Sequence, residues 1–288
     1  MPTVRALLAD AIPRLRQAGC DSPRLDAELL LAHALGLPRI RLRVHPEQAV
    51  SAEQAARFRA LLARRVRREP IAYLLGEWEF YGRPFLVSPA VLVPRPETEM
   101  LAEAVLRWAR EAGARRLADI GTGSGILAVT LALELPAAMV YAVDLSADAL
   151  RIARANAERH GVGARVTVLQ GDLLAPLMAI GALELDALVA NLPYIADAQM
   201  ADLMPEVGVY EPELALRGGE NGLALITRLI AESPEVLRPG GLLALEVGDG
   251  QAEAVRAELA ARGWREIRVI EDYGGRARDV LAVRAGGA

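Results

Sequence analysis

After residue 114 the chain alternates short apolar runs with longer segments of helical periodicity, and this alternation constrains the fold more than any other feature of the sequence. The apolar runs predict strands over residues 116–120, 138–144, 165–170, 185–191, 241–247, 266–272 and 279–284. The segments between them predict helices over residues 126–135, 147–160, 222–233 and 251–262. Regular alternation of this kind is typical of an α/β fold with a doubly wound, mostly parallel sheet.

The front of the chain has a different pattern, because residues 1–75 are helical throughout and contain no run that resembles a strand. Ser51, followed by Glu53 and Gln54, predicts the capped start of a long helix. Aromatic residues that alternate with glycines over 76–95 predict a β-hairpin. We therefore expect a helical domain over 1–75, a hairpin linker over 76–95 and the α/β domain over 96–288.

The segment Val93-Pro94-Arg95-Pro96-Glu97-Thr98-Glu99 is too rigid and too charged to be a loose linker. Glu97 or Thr98 can begin the helix that follows it. The segment is therefore either a stiff spacer before a helix or one wall of an active site.

The composition excludes several classes of protein. With 53% hydrophobic and 24% charged residues, the chain is globular and can bury a large core. Its one cysteine, Cys20, excludes an internal disulfide framework, and three isolated histidines offer no metal-ligand spacing. The apolar runs are much shorter than the roughly 20 residues of a membrane helix, and the N-terminus has no signal-peptide pattern. We expect a cytoplasmic protein without a metal and without membrane contact.

Charge is distributed unevenly along the chain. Residues 1–75 contain 13 Arg against 7 acidic residues, whereas the remainder contains 20 Arg against 30 acidic residues. A basic front on an acidic body indicates two surfaces that meet different parts of a large partner. The run of arginines over 64–68 is interpreted first as a solvated helix end, and a contact with ribosomal RNA or an acidic partner is the alternative.

A glycine-rich turn follows the first strand of the α/β domain and leads directly into a helix; its residues are Gly121, Thr122, Gly123, Ser124 and Gly125. Glycines there allow a tight turn and bring a ligand close to a helix N-terminus. Asp144 ends the second strand, where an acidic residue can accept both hydroxyls of a ribose. Asp172 and Leu173 follow the third strand, where they can bind the amino group of an adenine and pack on its ring.

These features predict a cofactor that contains adenosine. The spacing is Gly-x-Gly-x-Gly and not the Gly-x-Gly-x-x-Gly of dinucleotide sites, and no Lys-Ser/Thr pair follows it. No arginine is placed to bind a diphosphate. S-adenosyl-L-methionine therefore fits better than NAD.

The fourth strand ends in Asn191-Leu192-Pro193-Tyr194. Pro193 biases Leu192 toward an extended conformation, which directs the Leu192 carbonyl. That carbonyl and the Asn191 side-chain oxygen are two acceptors that can hold one planar NH2 group, with the Tyr194 ring beside it. In open α/β sheets, ligands bind beyond the carboxyl ends of the strands. By itself the stretch is equally consistent with an ordinary Asn-x-Pro turn.

Four blocks of the sequence carry a resemblance to a known family: EPIAYLLGEWEFYGRPFLVSPAVLVPRPETE, ADIGTGSGILAVTLALELP, ALVANLPYIAD and YEPELALRGGENGL. The later stretches LRPGGLLALEVGDGQ and DYGGRARDV also fit. The chain resembles the bacterial release-factor glutamine methyltransferases, the PrmC/HemK family, over essentially its whole length.

The resemblance implies a class I S-adenosylmethionine-dependent methyltransferase fold that is Rossmann-like and preceded by a helical substrate-recognition domain. It implies methyl transfer to the side-chain nitrogen (N5) of the glutamine in the Gly-Gly-Gln motif of peptide chain release factors. Gly121 to Gly125 and Asp144 would hold the cofactor, with Leu173 by the adenine, and Asn191 would touch both cofactor and substrate. Asn191, Leu192, Pro193 and Tyr194 would hold the glutamine, although Leu192 stands where the family usually has proline.

Three other functions stay open from the sequence. The first is an N6-adenine methyltransferase acting on rRNA or DNA, because adenine N6 is also a conjugated NH2 group. The acidic charge of the α/β domain argues against this alternative, since a surface that binds nucleic acid should be basic. The second is a ribosomal-protein glutamine methyltransferase, and the third is a cofactor-binding protein without activity. We expect a monomer that acts on release factors and makes no direct contact with nucleic acid.

Overall fold

The computed structural model describes residues 1–181, 184–272 and 274–286. They form two compact units, of which the first comprises Met1–Glu77 and Met204–Tyr210 and the second Trp78–Leu203 and Glu211–Ala288. Tyr273, in the stretch DYGGRARDV, lies outside the described residues.

The first unit is helical, as its sequence pattern predicts. Its helices span Val4–Gln17, Pro23–Leu35, Arg39–Val44, Ala52–Val66, Ile71–Leu75 and Pro205–Gly208. The predicted cap at Ser51 is confirmed, because the Ser51 hydroxyl accepts from the Gln54 backbone N–H and the Gln54 side chain accepts from that of Ser51. Phe58 and Leu62 on the same helix are fully buried in the core of this unit, which also contains Cys20.

The first interpretation of the arginine run over 64–68 as a solvated helix end holds only in part, because Arg64 and Arg67 are exposed and the other two arginines are not. Arg65 is buried, and its Nη1 donates to Glu206 Oε1 at 2.9 Å while Arg68 Nε donates to the same oxygen at 2.5 Å. Arg65 Nε also donates to Asp26 Oδ2 at 2.7 Å. The segment Met204–Tyr210 therefore belongs to the helical unit through charge pairs that sequence periodicity does not reveal.

The predicted hairpin is confirmed at the start of the second unit. Strands β1 (Glu77–Phe80) and β2 (Arg83–Leu86) are joined by Tyr81 and Gly82, whose φ angles are 53° and 69°. Two successive residues with positive φ form the turn that matches the right-handed twist of paired strands.

Among the described residues, seven further strands form one sheet: β3 (Arg116–Ile120), β4 (Met139–Asp144), β5 (Val166–Gln170), β6 (Leu185–Ala190), β7 (Leu237–Glu246), β8 (Arg265–Glu271) and β9 (Ala277–Val283). Their order is β5-β4-β3-β6-β7-β9-β8. The first five are parallel, and β9 is antiparallel to both of its neighbours. The predicted α/β fold is confirmed.

The helices of this unit span Glu97–Ala112, Ile126–Glu134, Ala147–Arg159, Ala175–Ala179, Ala224–Glu232 and Ala252–Ala261. Alternate residues of the strands enter different cores on the two faces of the sheet. Leu117 lies in one core and Ala118 in the other, and Val189 and Leu188 divide in the same way. Helices therefore cover both faces of the sheet. A ligand can reach the sheet at the ends of its strands.

The strand register brings distant parts of the sequence to one edge of this sheet. Ile120 of β3 pairs with Val143 of β4 on one side and with Ala190 of β6 on the other, and Ala190 pairs with Leu245 of β7. Asp144, the glycine turn, Asn191 and Glu246 consequently follow one another across the carboxyl ends of neighbouring strands. This is the edge at which α/β sheets bind ligands.

We predict that Glu206→Ala lowers the free energy of unfolding by about 2 kcal/mol, because it leaves the buried Arg65 guanidinium without one of its acceptors. Urea unfolding near neutral pH measures this. The matched control is Glu213→Ala, which removes an exposed pair with Arg217 and should cost less than about 0.5 kcal/mol. Equal losses in the two variants would contradict the assignment of Glu206.

The hydrogen bonds of Glu206 with Arg65 and Arg68 also predict that the free energy of unfolding depends on pH. Burial acts to raise the pKa of Glu206, but hydrogen bonds from Arg68 and Arg65 outweigh burial and hold that pKa below its ordinary value. A lowered pKa in the folded state contributes stability above the ordinary value of a glutamate, and this stability is lost as the pH falls through the lowered value. The difference between wild type and Glu206→Ala should therefore shrink in acid.

Candidate active site

A cavity opens at the carboxyl edge of the sheet in the second unit. Its walls include most of the predicted cofactor and substrate residues, namely Gly121, Thr122, Gly123, Ser124, Asp144, Asp172, Leu173, Asn191, Leu192 and Pro193. Val93, Pro94, Arg95 and Thr98 also line the cavity, so the rigid segment before the helix forms a wall as well as a spacer. Gly125 and Tyr194 are not among the residues that line it.

The glycine turn needs glycine at two of its positions. Gly121 has φ 74°, and a Cβ there would lie 3.0 Å from Leu192 Cδ2. Gly125 has φ 81°, and a Cβ there would lie 3.1 Å from the Cα of Ala153. A side chain at either position would therefore be strained and would separate the turn from the Asn191 loop or from the neighbouring helix.

Asp119, at the end of β3, organises this turn and was missed by sequence reasoning. Its Oδ2 accepts from the Thr122 hydroxyl at 2.6 Å and from the Ala128 backbone N–H at 3.1 Å. Its Oδ1 is buried without a hydrogen-bond partner among the described residues, and Asp119 lines the cavity. Burial raises the pKa of Asp119 to about 7. An aspartate inside an apolar strand was the available signal.

Asp144 is fixed by the turn that it faces. Its Oδ2 accepts from the Gly123 backbone N–H at 2.9 Å, and its Oδ1 accepts from that of Ser146 at 2.8 Å. Burial raises the pKa of this carboxyl, while the backbone hydrogen bonds favour its ionised form. Each oxygen keeps a second lone pair, so the carboxylate can still accept from a diol.

Asp172 and Leu173 lie together at the end of β5 but differ in exposure. The Asp172 carboxylate is half exposed and accepts from Arg228 Nη2 at 2.8 Å. Leu173 is buried and has φ 44°. Leu173 thus offers an apolar surface to the cavity, and any ligand of Asp172 shares its carboxylate with Arg228.

The side chain of Asn191 is held by its nitrogen. Asn191 Nδ2 donates to Thr98 Oγ1 at 3.1 Å, and Thr98 Oγ1 donates to Glu246 Oε2 at 2.6 Å. Glu246 is 2% exposed, and burial raises the pKa of its carboxyl. Because the amide nitrogen is engaged with Thr98, the Asn191 oxygen remains available as an acceptor on a residue that lines the cavity.

Leu192 lines the cavity, and its side chain packs in the core. The side chain is 3% exposed and packs in the apolar cluster beneath β3 and β6. Among the described residues its carbonyl accepts no hydrogen bond. The leucine therefore leaves the backbone acceptor available, as proline at this position would.

Two later segments brace this loop, and the sequence marked them only as parts of a resemblance. Gln251 Nε2 donates to the Tyr194 carbonyl at 2.9 Å. A Cβ at Gly218 would lie 2.7 Å from the Pro193 carbonyl oxygen and 2.8 Å from the Tyr194 Cα. Burial raises the pKa of Tyr194 to about 12, so its hydroxyl stays protonated.

Within the described ranges, the molecule has neither a metal site nor a membrane span. No group of three or more His, Cys, Asp or Glu side chains is placed to hold a metal ion. No described helix is long and apolar enough to cross a membrane.

Relatives of known name match this chain along its length. The release factor glutamine methyltransferase of Moorella thermoacetica is 46% identical over 283 residues, which cover 98% of this chain and 99% of that protein. Proteins of the same name from Geobacter sulfurreducens and Nitratidesulfovibrio vulgaris are 43% and 42% identical and cover 95% and 98% of this chain, and 94% and 95% of their own lengths. This chain belongs to the release factor glutamine methyltransferases. The resemblance stated from the sequence is confirmed.

Models of two protein families match parts of this chain. The PrmC N-terminal domain matches residues 6–76, and the ribosomal protein L11 methyltransferase (PrmA) family matches residues 97–209. The family and its fold imply S-adenosyl-L-methionine as the methyl donor.

Solved structures share the fold at low identity. The hMettl16 catalytic domain, in complex with MAT2A 3′UTR hairpin 1, is 17% identical with a TM-score of 0.58 and covers 99% of this chain and 91% of its own. A methyltransferase from Pyrococcus furiosus is 19% identical with a TM-score of 0.55 and covers 78% of this chain and 99% of its own. These likenesses establish the fold alone.

We predict that Gly218→Ala lowers kcat for methyl transfer by about 10²-fold, because the added methyl displaces the Pro193 and Tyr194 backbone behind the two acceptors. Steady-state kinetics measure the change. The control is Gly163→Ala, where the nearest atom to an added Cβ is 3.7 Å away, and which should leave kcat unchanged. A fully active, folded Gly218→Ala variant would contradict the role of this contact.

Proposed function

We propose that this chain transfers the methyl group of S-adenosyl-L-methionine to N5 of the glutamine in the Gly-Gly-Gln motif of peptide chain release factors, in the cytoplasm. The observation that carries the proposal is the Asn191 carboxamide, held by its nitrogen so that its oxygen is an acceptor at the cavity. The free Leu192 carbonyl is a second acceptor one residue away. Two acceptors match the two N–H bonds of a primary amide.

The residues around the glycine turn fit the cofactor. Asp119 Oδ1 is a buried acceptor without a partner among the described residues, and the ammonium of a bound methionine moiety would satisfy it. Asp144 would accept from the ribose hydroxyls, and Leu173 would pack on the adenine. Asp172 would bind the adenine amino group on the side not used by Arg228. When bound, S-adenosyl-L-methionine supplies an electrophilic methyl group on a sulfonium.

The chain's own contribution is to position a weak nucleophile. An amide nitrogen attacks poorly because its lone pair is delocalised into the carbonyl. Asn191 Oδ1 and the Leu192 carbonyl accept its two N–H bonds and orient the nitrogen in line with the methyl group. Positive charge then develops on the nitrogen, and both hydrogen bonds strengthen in the transition state. The amide loses its proton to water afterwards, so no strong general base is required.

Pro193 and Tyr194 would support this arrangement from the backbone. Pro193 fixes the direction of the Leu192 carbonyl. The Tyr194 carbonyl is anchored by Gln251, and its ring lies against Gly248, where a Cβ would be 3.0 Å from Tyr194 Cδ2. We propose that the ring packs over the bound amide and excludes water.

The direct test is methyl transfer from labelled cofactor to purified release factor. The matched control substrate is the Gly-Gly-Gln→Gly-Gly-Ala variant of that factor, and ribosomal proteins and total RNA serve as competing substrates. We expect label on the wild-type release factor only. Label on RNA would support an adenine methyltransferase, and label on a ribosomal protein would support the related glutamine methyltransferase. Binding of the cofactor without any transfer would indicate a protein that lacks activity.

A further inference from the structure

Two buried carboxyl groups behind the candidate active site have no role in the scheme above. Glu246, on β7, is 2% exposed, and Asp279, on β9, is 0% exposed. The register of the antiparallel strands pairs these two residues directly. Neither oxygen of Asp279 has a hydrogen-bond partner within the described part of the chain. Two adjacent carboxyl groups in such a setting do not both ionise, so the pair retains one proton near neutrality.

Glu246 is connected to the acceptor that would bind substrate. Its Oε2 accepts from the Thr98 hydroxyl at 2.6 Å, and the Thr98 oxygen accepts from Asn191 Nδ2 at 3.1 Å. Thr98 stands at the start of the helix Glu97–Ala112, Asn191 at the end of β6, and Glu246 at the end of β7. Three separate elements are therefore joined by one chain of hydrogen bonds.

The charge of Glu246 decides which group donates and which accepts in each of these hydrogen bonds. An ionised carboxylate only accepts hydrogen bonds, so the Thr98 hydroxyl must donate to it and can only accept from Asn191. The NH2 of Asn191 then points inward and its oxygen faces the substrate. A protonated Glu246 can donate to Thr98, whose hydroxyl can then donate to Asn191. The carboxamide can turn in that state and would present its NH2 to the NH2 of the substrate.

We propose that Glu246 is a positioning residue, which as a carboxylate fixes the Asn191 carboxamide through Thr98, while Asp279 holds the one proton of the pair. This inference rests on the proposed function, because it concerns how the same acceptor is oriented.

The groups that face the pair are consistent with this division of charge. Burial raises the pKa of both carboxyls, and for Asp279 the charge of Glu246 raises it further. Glu97 acts to raise the pKa of Glu246 and Arg278 acts to lower it. Arg278 also donates to Asp272 at 3.2 Å. Tyr194, whose pKa is raised to about 12, stays neutral beside the pair.

Two isosteric substitutions test which carboxyl carries the charge. We expect Glu246→Gln to lower kcat by about 10- to 100-fold, by analogy with the loss of a residue that orients a metal ligand through a hydrogen bond. We expect Asp279→Asn to keep kcat within about twofold, since it replaces one neutral group by another. The opposite result, a silent Glu246→Gln and a defective Asp279→Asn, would overturn the proposal.

The hydroxyl between the two side chains gives a second comparison. Thr98→Val removes it and should lower kcat as Glu246→Gln does, whereas Thr98→Ser keeps it and should restore activity. The wild-type kcat should fall in acid as Glu246 gains a proton. This acid limb of the pH profile should be absent from Glu246→Gln. Equal activity of the valine and serine variants, or an acid limb that persists in Glu246→Gln, would contradict the proposal.

A readout that does not depend on activity separates this inference from the proposed function. In the free protein, the side-chain NH2 signals of Asn191 in a nitrogen–proton NMR spectrum should shift as the pH is lowered through the neutral range. They should not shift in Glu246→Gln. If the wild type fails to methylate a release factor but shows this titration, only the proposed function fails. If the titration is absent or survives in Glu246→Gln, the positioning role fails.

Discussion

The hydrogen bond from Asn191 Nδ2 to Thr98 Oγ1 is the interaction on which the candidate active site depends. It fixes whether the oxygen or the nitrogen of the Asn191 carboxamide faces the cavity. This orientation matters because the NH2 group of an amide substrate offers only donors and therefore needs an acceptor. The same bond ties the end of β6 to the helix that follows the hairpin. In the proposed mechanism a rigid acceptor is needed here, because a weak nucleophile must be held in line with the methyl group.

The order of the sheet makes this interaction possible. β3 lies between β4 and β6, and β7 lies beyond β6, so Asp144, the glycine turn, the Asn191 loop and Glu246 occupy successive strand ends. Each group is supplied by the residue at or just after the last strand position. The glycine turn and the Asn191 loop consequently lie so close together that a Cβ at Gly121 would be 3.0 Å from Leu192 Cδ2.

Much of this architecture could be predicted because it depends on patterns of neighbouring residues along the sequence. Apolar runs predicted the strands, and the glycine turn and the Asn191 loop were candidates because their residue types suit a site at the ends of strands, although the Asn191 stretch alone also fits an ordinary turn. Glu246 and Asp279 could not be assigned a role, since their partners are fixed by strand register and not by spacing along the chain. Glu206 was missed for a similar reason, because its salt bridges to Arg65 and Arg68 join residues more than a hundred positions apart.

Single-turnover kinetics of Asn191→Ala, with release factor and saturating cofactor, test the central claim most directly. The alanine variant removes one of the two acceptors, so the rate of methyl transfer should fall by about 10²-fold or more while the protein stays folded. Methyl transfer at the wild-type rate would contradict the account, because the nitrogen would then be oriented without the Asn191 oxygen.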